Sequence, residues 1–183
     1  SRLGLQFDIV AADPGIMGGN MSHEFMVRSP YGEDRIVICG KCDYLASYDI
    51  SGRKIQESSR HESSKPIEMF DTPNLRTIAE LEKNYQLKPA QMVKTILYMA
   101  DESLPLAACV RGDHEVHEGK LRKAAGVKSL RLASAEEIQK VTGGPLGFTG
   151  PVGLKEVKII CDADILSIYD FVTGANQKDK HYR

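Results

Sequence analysis

Val93-Lys94-Thr95-Ile96-Leu97-Tyr98-Met99-Ala100, with Leu104-Pro105-Leu106-Ala107-Ala108-Cys109-Val110 close behind it, decides the fold class. Residues 93–100 are apolar at odd and even positions alike. That pattern predicts a strand buried on both faces, central in a covered sheet, with residues 104–110 as its neighbour. A lysine inside such a strand is costly unless something anionic pairs with it. The second strand runs into Arg111-Gly112-Asp113-His114-Glu115, a glycine turn that presents Asp113 and His114 where a helix begins. Lys94 on one strand and Asp113-His114 at the end of the next predict the rim of a pocket for a small polar or anionic ligand.

Working outward, Thr77 with Glu80 forms a capping box, and Ile78, Leu81 and Tyr85 share one helical face. Pro89 fits the first turn of a short helix. Asp113 is expected to cap a helix from Glu115 to Ala125, closed by Gly126. Ser134 with Glu137 forms a second capping box, and its helix stops at Gly143-Gly144-Pro145. Residues 157–161 read as another strand. Strands and helices mix without strict alternation, so the fold class is α+β: a mixed, mostly antiparallel sheet with helices packed around it.

The N-terminal part reads differently. Residues 1–49 hold a glycine-rich turn and short strands, and residues 24–28 and 35–39 flank Ser29-Pro30-Tyr31-Gly32 as a hairpin. Residues 50–65, rich in Ser, Arg and Glu with no apolar period, read as a mobile linker. Residues 66–183 form the main domain.

Composition sets bounds. A chain of 183 residues with 42% hydrophobic content suits one domain, or one with an appendage. A net charge of −1 does not announce a nucleic-acid binder. Lys120, Arg122, Lys123 and Lys128 make a local basic stretch, readable as a landing strip for a nucleic-acid end or as ordinary helix-terminal cations. The four cysteines include one C-x-x-C pair, Cys39 and Cys42, without the second pair a zinc ribbon needs. Free thiols fit a reducing cytoplasm. No apolar run approaches the roughly 20 residues of a membrane span, and no signal peptide is visible.

The same segments carry a resemblance. Thr72-Pro73-Asn74, Thr77-Ile78-Ala79-Glu80-Leu81, Val93-Lys94-Thr95, Arg111-Gly112-Asp113-His114-Glu115 and Gly150-Pro151-Val152-Gly153-Leu154 follow the order seen in bacterial-type prolyl-tRNA synthetase, and Gly174-Ala175-Asn176 and His181-Tyr182 come after them. The stretch is similar to the editing domain inserted into that enzyme, a YbaK-like fold. Asp13-Pro14-Gly15-Ile16-Met17-Gly18-Gly19 and Ser22-His23-Glu24-Phe25 resemble the class II catalytic core just before the insertion. The resemblance implies an aminoacyl-tRNA hydrolase that removes alanine wrongly esterified to proline tRNA, in the cytoplasm, with no cofactor for editing. It implies a parent ligase, a homodimer, that uses ATP and magnesium.

It also implies roles. The family's editing lysine falls on Lys94, where the residues alone allow a snorkelling strand-end lysine as well. Its Gly-Asp-His motif falls on Asp113 and His114, which implies that Asp113 binds substrate and that His114 is catalytic, shaping the pocket and orienting the aminoacyl group or shuttling a proton; their plain reading is an N-cap beside a surface histidine. His117, where the family more often has Asn, reads as a helix-surface residue. A glycine-rich loop lines the family's pocket, which points to Gly143, Gly144 and Gly147, whose exposed main-chain N–H groups suit a carbonyl or phosphate oxygen. Thr72 and Leu81 fall in motifs that line its small amino-acid pocket. No Ser-His-Asp set, metal-ligand spacing or P-loop appears. The competing readings are a catalytically silent module that binds a tRNA acceptor end or a partner, and a metal or redox domain at Cys39 and Cys42.

Overall fold

A computed structural model describes residues 4–13, 22–52 and 65–183. The chain divides into two compact units, residues 1–54 and 55–183. Most of the expected linker, and most of the glycine-rich turn after Asp13, lie outside the described residues.

In the first unit, β1 (Asp8–Ala12), β2 (Ser22–Met26), β3 (Ile36–Ile38) and β4 (Leu45–Ser47) form a sheet in the order β2-β1-β4-β3. The expected hairpin between residues 24–28 and 35–39 does not form. Instead β2 pairs antiparallel with β1, and β3 with β4. The local turn is there, with Gly32 N–H donating to Ser29 C=O at 3.4 Å. Side-chain contacts tie β2 to β1 instead: Phe7 meets Phe25 edge to face at 5.2 Å, and Arg28 binds Asp8 through two bonds of 2.6 and 3.1 Å. Cys39 and Cys42 sit in the β3–β4 turn, where the Lys41 N–H draws the Cys39 thiol below its usual pKa.

The second unit is built on β6 (Met92–Ala100) and β7 (Leu104–Arg111), paired antiparallel over eight register positions from Val93↔Arg111 to Ala100↔Leu104. Around them lie β5 (Met69–Asp71), β8 (Leu130–Leu132), β9 (Lys158–Cys161), β10 (Val172–Gly174) and β11 (Lys180–Tyr182). The sheet order is β5-β11-β10-β6-β7-β9, with β8 also on β6. Among this sheet's described pairings only β10–β6 and β7–β9 are parallel, so the sheet is mixed and mostly antiparallel, as the sequence indicates.

The helices are α1 (Ile78–Tyr85), α2 (Glu118–Ala125) and α3 (Ala135–Thr142). Alternation along β6 sends its side chains to two faces. On one, Met92 packs with Leu81 of α1 and Val172, while Tyr98 and Ala100 pack with Leu121 and Ala125 of α2. On the other, Leu97 packs with Ala107 and with Ile138 of α3. Both capping boxes, Thr77–Glu80 and Ser134–Glu137, form as the sequence indicates.

The α2 cap does not. The helix starts at Glu118, and His117 is its N-cap, accepting at Nδ1 from Lys120 N–H at 3.3 Å. Asp113 is engaged elsewhere, bound by Arg111 at 2.6 and 3.0 Å, and Glu115 is drawn to Lys94. These ion pairs hold the expected cap, Asp113, and the expected first helical residue, Glu115, away from the helix start.

The loop after α3 is fastened to β10 by main-chain contact. A Cβ on Gly150 would lie 1.6 Å from the Gly174 carbonyl oxygen, and one on Gly144 would lie 2.1 Å from that of Asn176. Asn176 completes the seam: its amide group bonds Gly150 N–H, Gly150 C=O and Val152 C=O, and its N–H bonds Phe148 C=O. Gly150→Ala is therefore expected to cost more than about 3 kcal/mol, measured by urea unfolding, or to prevent folding. Gly143→Ala, at a left-handed φ of +77° with open space around it, is expected to cost only about 1–2 kcal/mol.

Candidate active site

A cavity of about 500 Å³ opens beside β6, within the range of small-ligand sites. Six consecutive residues, Met92 to Leu97, line it. Alternate side chains of a strand point to opposite faces, so a cavity touching all six lies along the strand's edge. That edge is divided. β10 pairs with β6 at Met92 and Val93, and β8 pairs with it at Tyr98 to Ala100, which leaves a gap between them. The first turn of α1, the loop at Leu146, Gly147 and Thr149, and Ile138 of α3 close the walls.

Lys94, Leu81 and Gly147 of the sequence-predicted site residues line this cavity. Lys94 is four-fifths buried, on the same face as Met92, and its Nζ donates to Glu115 Oε1 at 2.6 Å. Glu115 is 86% exposed, so the partner is a surface carboxylate that a stronger anion can displace. Gly147 has φ +98° and packs against the Arg76 side chain.

Thr72, Gly143 and Gly144 stand behind the lining rather than in it. Gly143 closes α3, and Gly144 is buried against Asn176. Thr72 is fully buried, and its hydroxyl lies 2.6 Å from His181 Nδ1. Asp113 and His114 are placed apart from the cavity lining. His114 Nδ1 lies 3.5 Å from Asp164 Oδ2, and its other nitrogen 4.0 Å from Asp113. His114, Asp162 and Asp164 offer ligand atoms within 4.8 Å of one another, and Asp162 also caps the short 3-10 helix 163–167. The expected rim of Lys94 with Asp113-His114 is thus divided: β7, which Asp113 and His114 follow, lies along the edge of β6 opposite β10, β8 and the gap between them.

Arg76, Thr173 and His181 are among the lining residues not singled out as site residues from the sequence. Arg76, exposed at the mouth, holds its guanidinium 5.9 Å over the Phe148 ring. Thr173 is 3% exposed, and its hydroxyl has no hydrogen-bond partner among the described residues. His181 is 4% exposed, packed edge to face on Phe148, with a pKa lowered by burial. Thr72 occupies Nδ1, so Nε2 is the ring nitrogen available to a ligand. A histidine at the inward register of a three-residue strand, between polar neighbours, carries almost no periodic signal; only its place in the resembled motif marked it.

The fold is shared with solved structures. A putative trans-editing enzyme for prolyl tRNA synthetase superposes with a TM-score of 0.57 at 23% identity, over 64% of this chain and 74% of that one. A hypothetical protein gives 0.58 at 24% identity, over 64% and 79%. Residues 72–183 match the model of the aminoacyl-tRNA editing domain, and the chain belongs to that family. Proline–tRNA ligases of Geobacter metallireducens and Geotalea daltonii are each 42% identical over 182 residues, all of this chain. That of Moorella thermoacetica is 41% identical over 98% of it. The chain spans about a third of the length of these relatives, 31–32%.

Burial of His181 links folding to pH. Its folded pKa lies below the unfolded value of 6.5, so the unfolded chain binds the proton more tightly. The stability contributed by neutral His181 is whole above pH 6.5 and is lost as pH falls through the folded pKa. Urea unfolding from pH 8 to pH 5 is expected to show a steeper loss for the wild type than for His181→Gln. Equal slopes would contradict the burial argument.

Proposed function

We propose that this chain hydrolyses alanine wrongly esterified to proline tRNA, as the editing part of a proline–tRNA ligase. The observation that carries the reading is the cavity itself: a strand edge, a largely buried lysine and a buried histidine whose pKa burial lowers, in a domain of the aminoacyl-tRNA editing family. Alanine is smaller than proline and fits any site built for it. A missing methylene supplies only about 1–3 kcal/mol of discrimination, so a second, smaller sieve is needed.

In this reading the terminal phosphate of the tRNA meets Arg76 at the mouth and displaces Glu115 from Lys94. Water adds to the ester carbonyl. The bond from that carbon to the ribose oxygen then breaks, giving free alanine and a ribose hydroxyl. With its proton on Nδ1 and donated to Thr72, His181 accepts a proton at Nε2 from the attacking water and gives it to the departing ribose oxygen. Lys94 stabilises the negative charge that develops on oxygen. The side chains supply neither nucleophile nor metal in this scheme. ATP and magnesium belong to the parent ligase, as does its dimer, and the reaction belongs to translation in the cytoplasm.

The test is single-turnover deacylation of alanyl-tRNA for proline. Lys94→Ala and His181→Ala are each expected to slow it at least about tenfold, the scale of a lost charge or proton-transfer contribution. His114→Ala is expected to lose less than either. A Lys94→Ala chain at the normal rate would sink the assignment, and tight binding with no turnover would leave a silent tRNA-end binder.

A further inference from the structure

The gap in the sheet leaves both main-chain polar groups of Thr95 open to the cavity. Met92 C=O accepts from Gly112 N–H on the β7 side, and Leu97 C=O accepts from Ala133 N–H on the β8 side. Main-chain groups alternate along a strand, so Thr95 points its N–H and C=O the way Leu97 does, away from β7. Thr95 and Cys109 face each other in register as a pair not bonded through their main chains, and their side chains approach at 3.5 Å. On the cavity side, the β10 pairing ends at Val93 and the β8 pairing begins at Tyr98. β10 does not extend to Thr95, because Asn176 N–H, the donor that would next reach Thr95 C=O, is bonded to Phe148 C=O. One buried residue therefore shows the cavity both a donor and an acceptor. Beside it, in register with Val93, stands the unpartnered hydroxyl of Thr173, on a side chain almost wholly buried. Buried polar groups are seldom left unmade.

We infer that this notch is the subsite for the α-ammonium and carbonyl of an aminoacyl ester, docked as a one-residue β-bridge on Thr95. The ester carbonyl accepts from Thr95 N–H. The α-ammonium donates to Thr95 C=O and to Thr173 Oγ1. The match is chemical: two residues in a bonded antiparallel pair exchange one N–H and one C=O each, and an aminoacyl ester carries that pair of groups on adjacent atoms of its own backbone. The subsite reads the part common to all amino acids, and the α-ammonium, not the side chain, anchors the substrate. The inference rests on the editing reading for the identity of the ester, but not on the catalytic roles of Lys94 and His181.

Two measurements on the whole chain test it. The first compares deacylation of alanyl-tRNA and propionyl-tRNA, which differ by the α-ammonium, each rate divided by that ester's own hydrolysis in buffer. The alanyl ester is expected to be favoured at least about tenfold, the value of a hydrogen bond to a charged group. Thr173→Val is expected to shrink that preference. Equal normalised rates for the two esters would overturn the subsite while the editing reading stands. The second measurement titrates the ¹⁵N-labelled chain with 3′-deoxy-3′-(L-alanylamino)adenosine, an amide that is not hydrolysed. Thr95 N–H is expected to shift and to gain at least about tenfold protection from exchange, as a newly bonded amide does. Movement of the Gly147 and Thr149 amides with Thr95 unchanged would overturn the subsite alone. If no cavity amide moves and neither ester is hydrolysed, the editing reading falls with it.

Discussion

Contact between two stretches of bare main chain, at Gly150 and Gly174, is the constraint on which the candidate site depends. A Cβ at either position meets a carbonyl oxygen, at 1.6 Å for Gly150 and 2.3 Å for Gly174. The contact holds the loop after α3 against β10, and the Asn176 side chain locks it there. β10 is thereby committed to the loop and stays paired with β6 only at Met92 and Val93. A longer β10 would fill the gap with ladder hydrogen bonds and close the cavity. The glycines so numerous in this loop act mainly as permission for close packing, with Gly147 alone of the three predicted glycines turned to the cavity.

Charge is placed economically around that opening. The whole chain carries a net −1, yet the cavity has Arg76 at its mouth and Lys94 on its wall. Lys94 is tolerated because Glu115 pairs with it from the surface side, and that pair can be exchanged for a phosphate without burying an unmatched charge. His181 is treated in the opposite way. Burial lowers its pKa, and Thr72 fixes one ring nitrogen, so it sits neutral beside the cations.

What could be read from the sequence was local. β6 and β7 are long apolar runs, and the two capping boxes are fixed offsets between named side chains, so each announces itself within ten residues. β5, β10 and β11 have three residues each, too few for a period to show, and each exists because a neighbour offers it an edge, β6 to β10, β10 to β11 and β11 to β5. The α2 start was misplaced because Asp113 and Glu115 are drawn into ion pairs with Arg111 and Lys94, contacts set by tertiary structure. The hairpin of the first unit failed for the same reason, since a turn signal says nothing of which strand lies alongside. Lys94 and Leu81 were found as cavity residues because they lie in distinctive motifs. His181 and Thr173 were missed because inward register in a short strand is settled only by pairing.

The most direct test of the central claim, that this cavity is a sieve for amino acids smaller than proline, is the rate at which the chain deacylates one tRNA for proline carrying glycine, alanine, 2-aminobutyrate or proline. The account requires alanine to be removed at least about tenfold faster than proline, the scale of one or two methylenes in a fitted pocket. Equal removal of alanine and proline would contradict it, because an editing site that cleared the correct amino acid would undo the synthesis it is meant to guard.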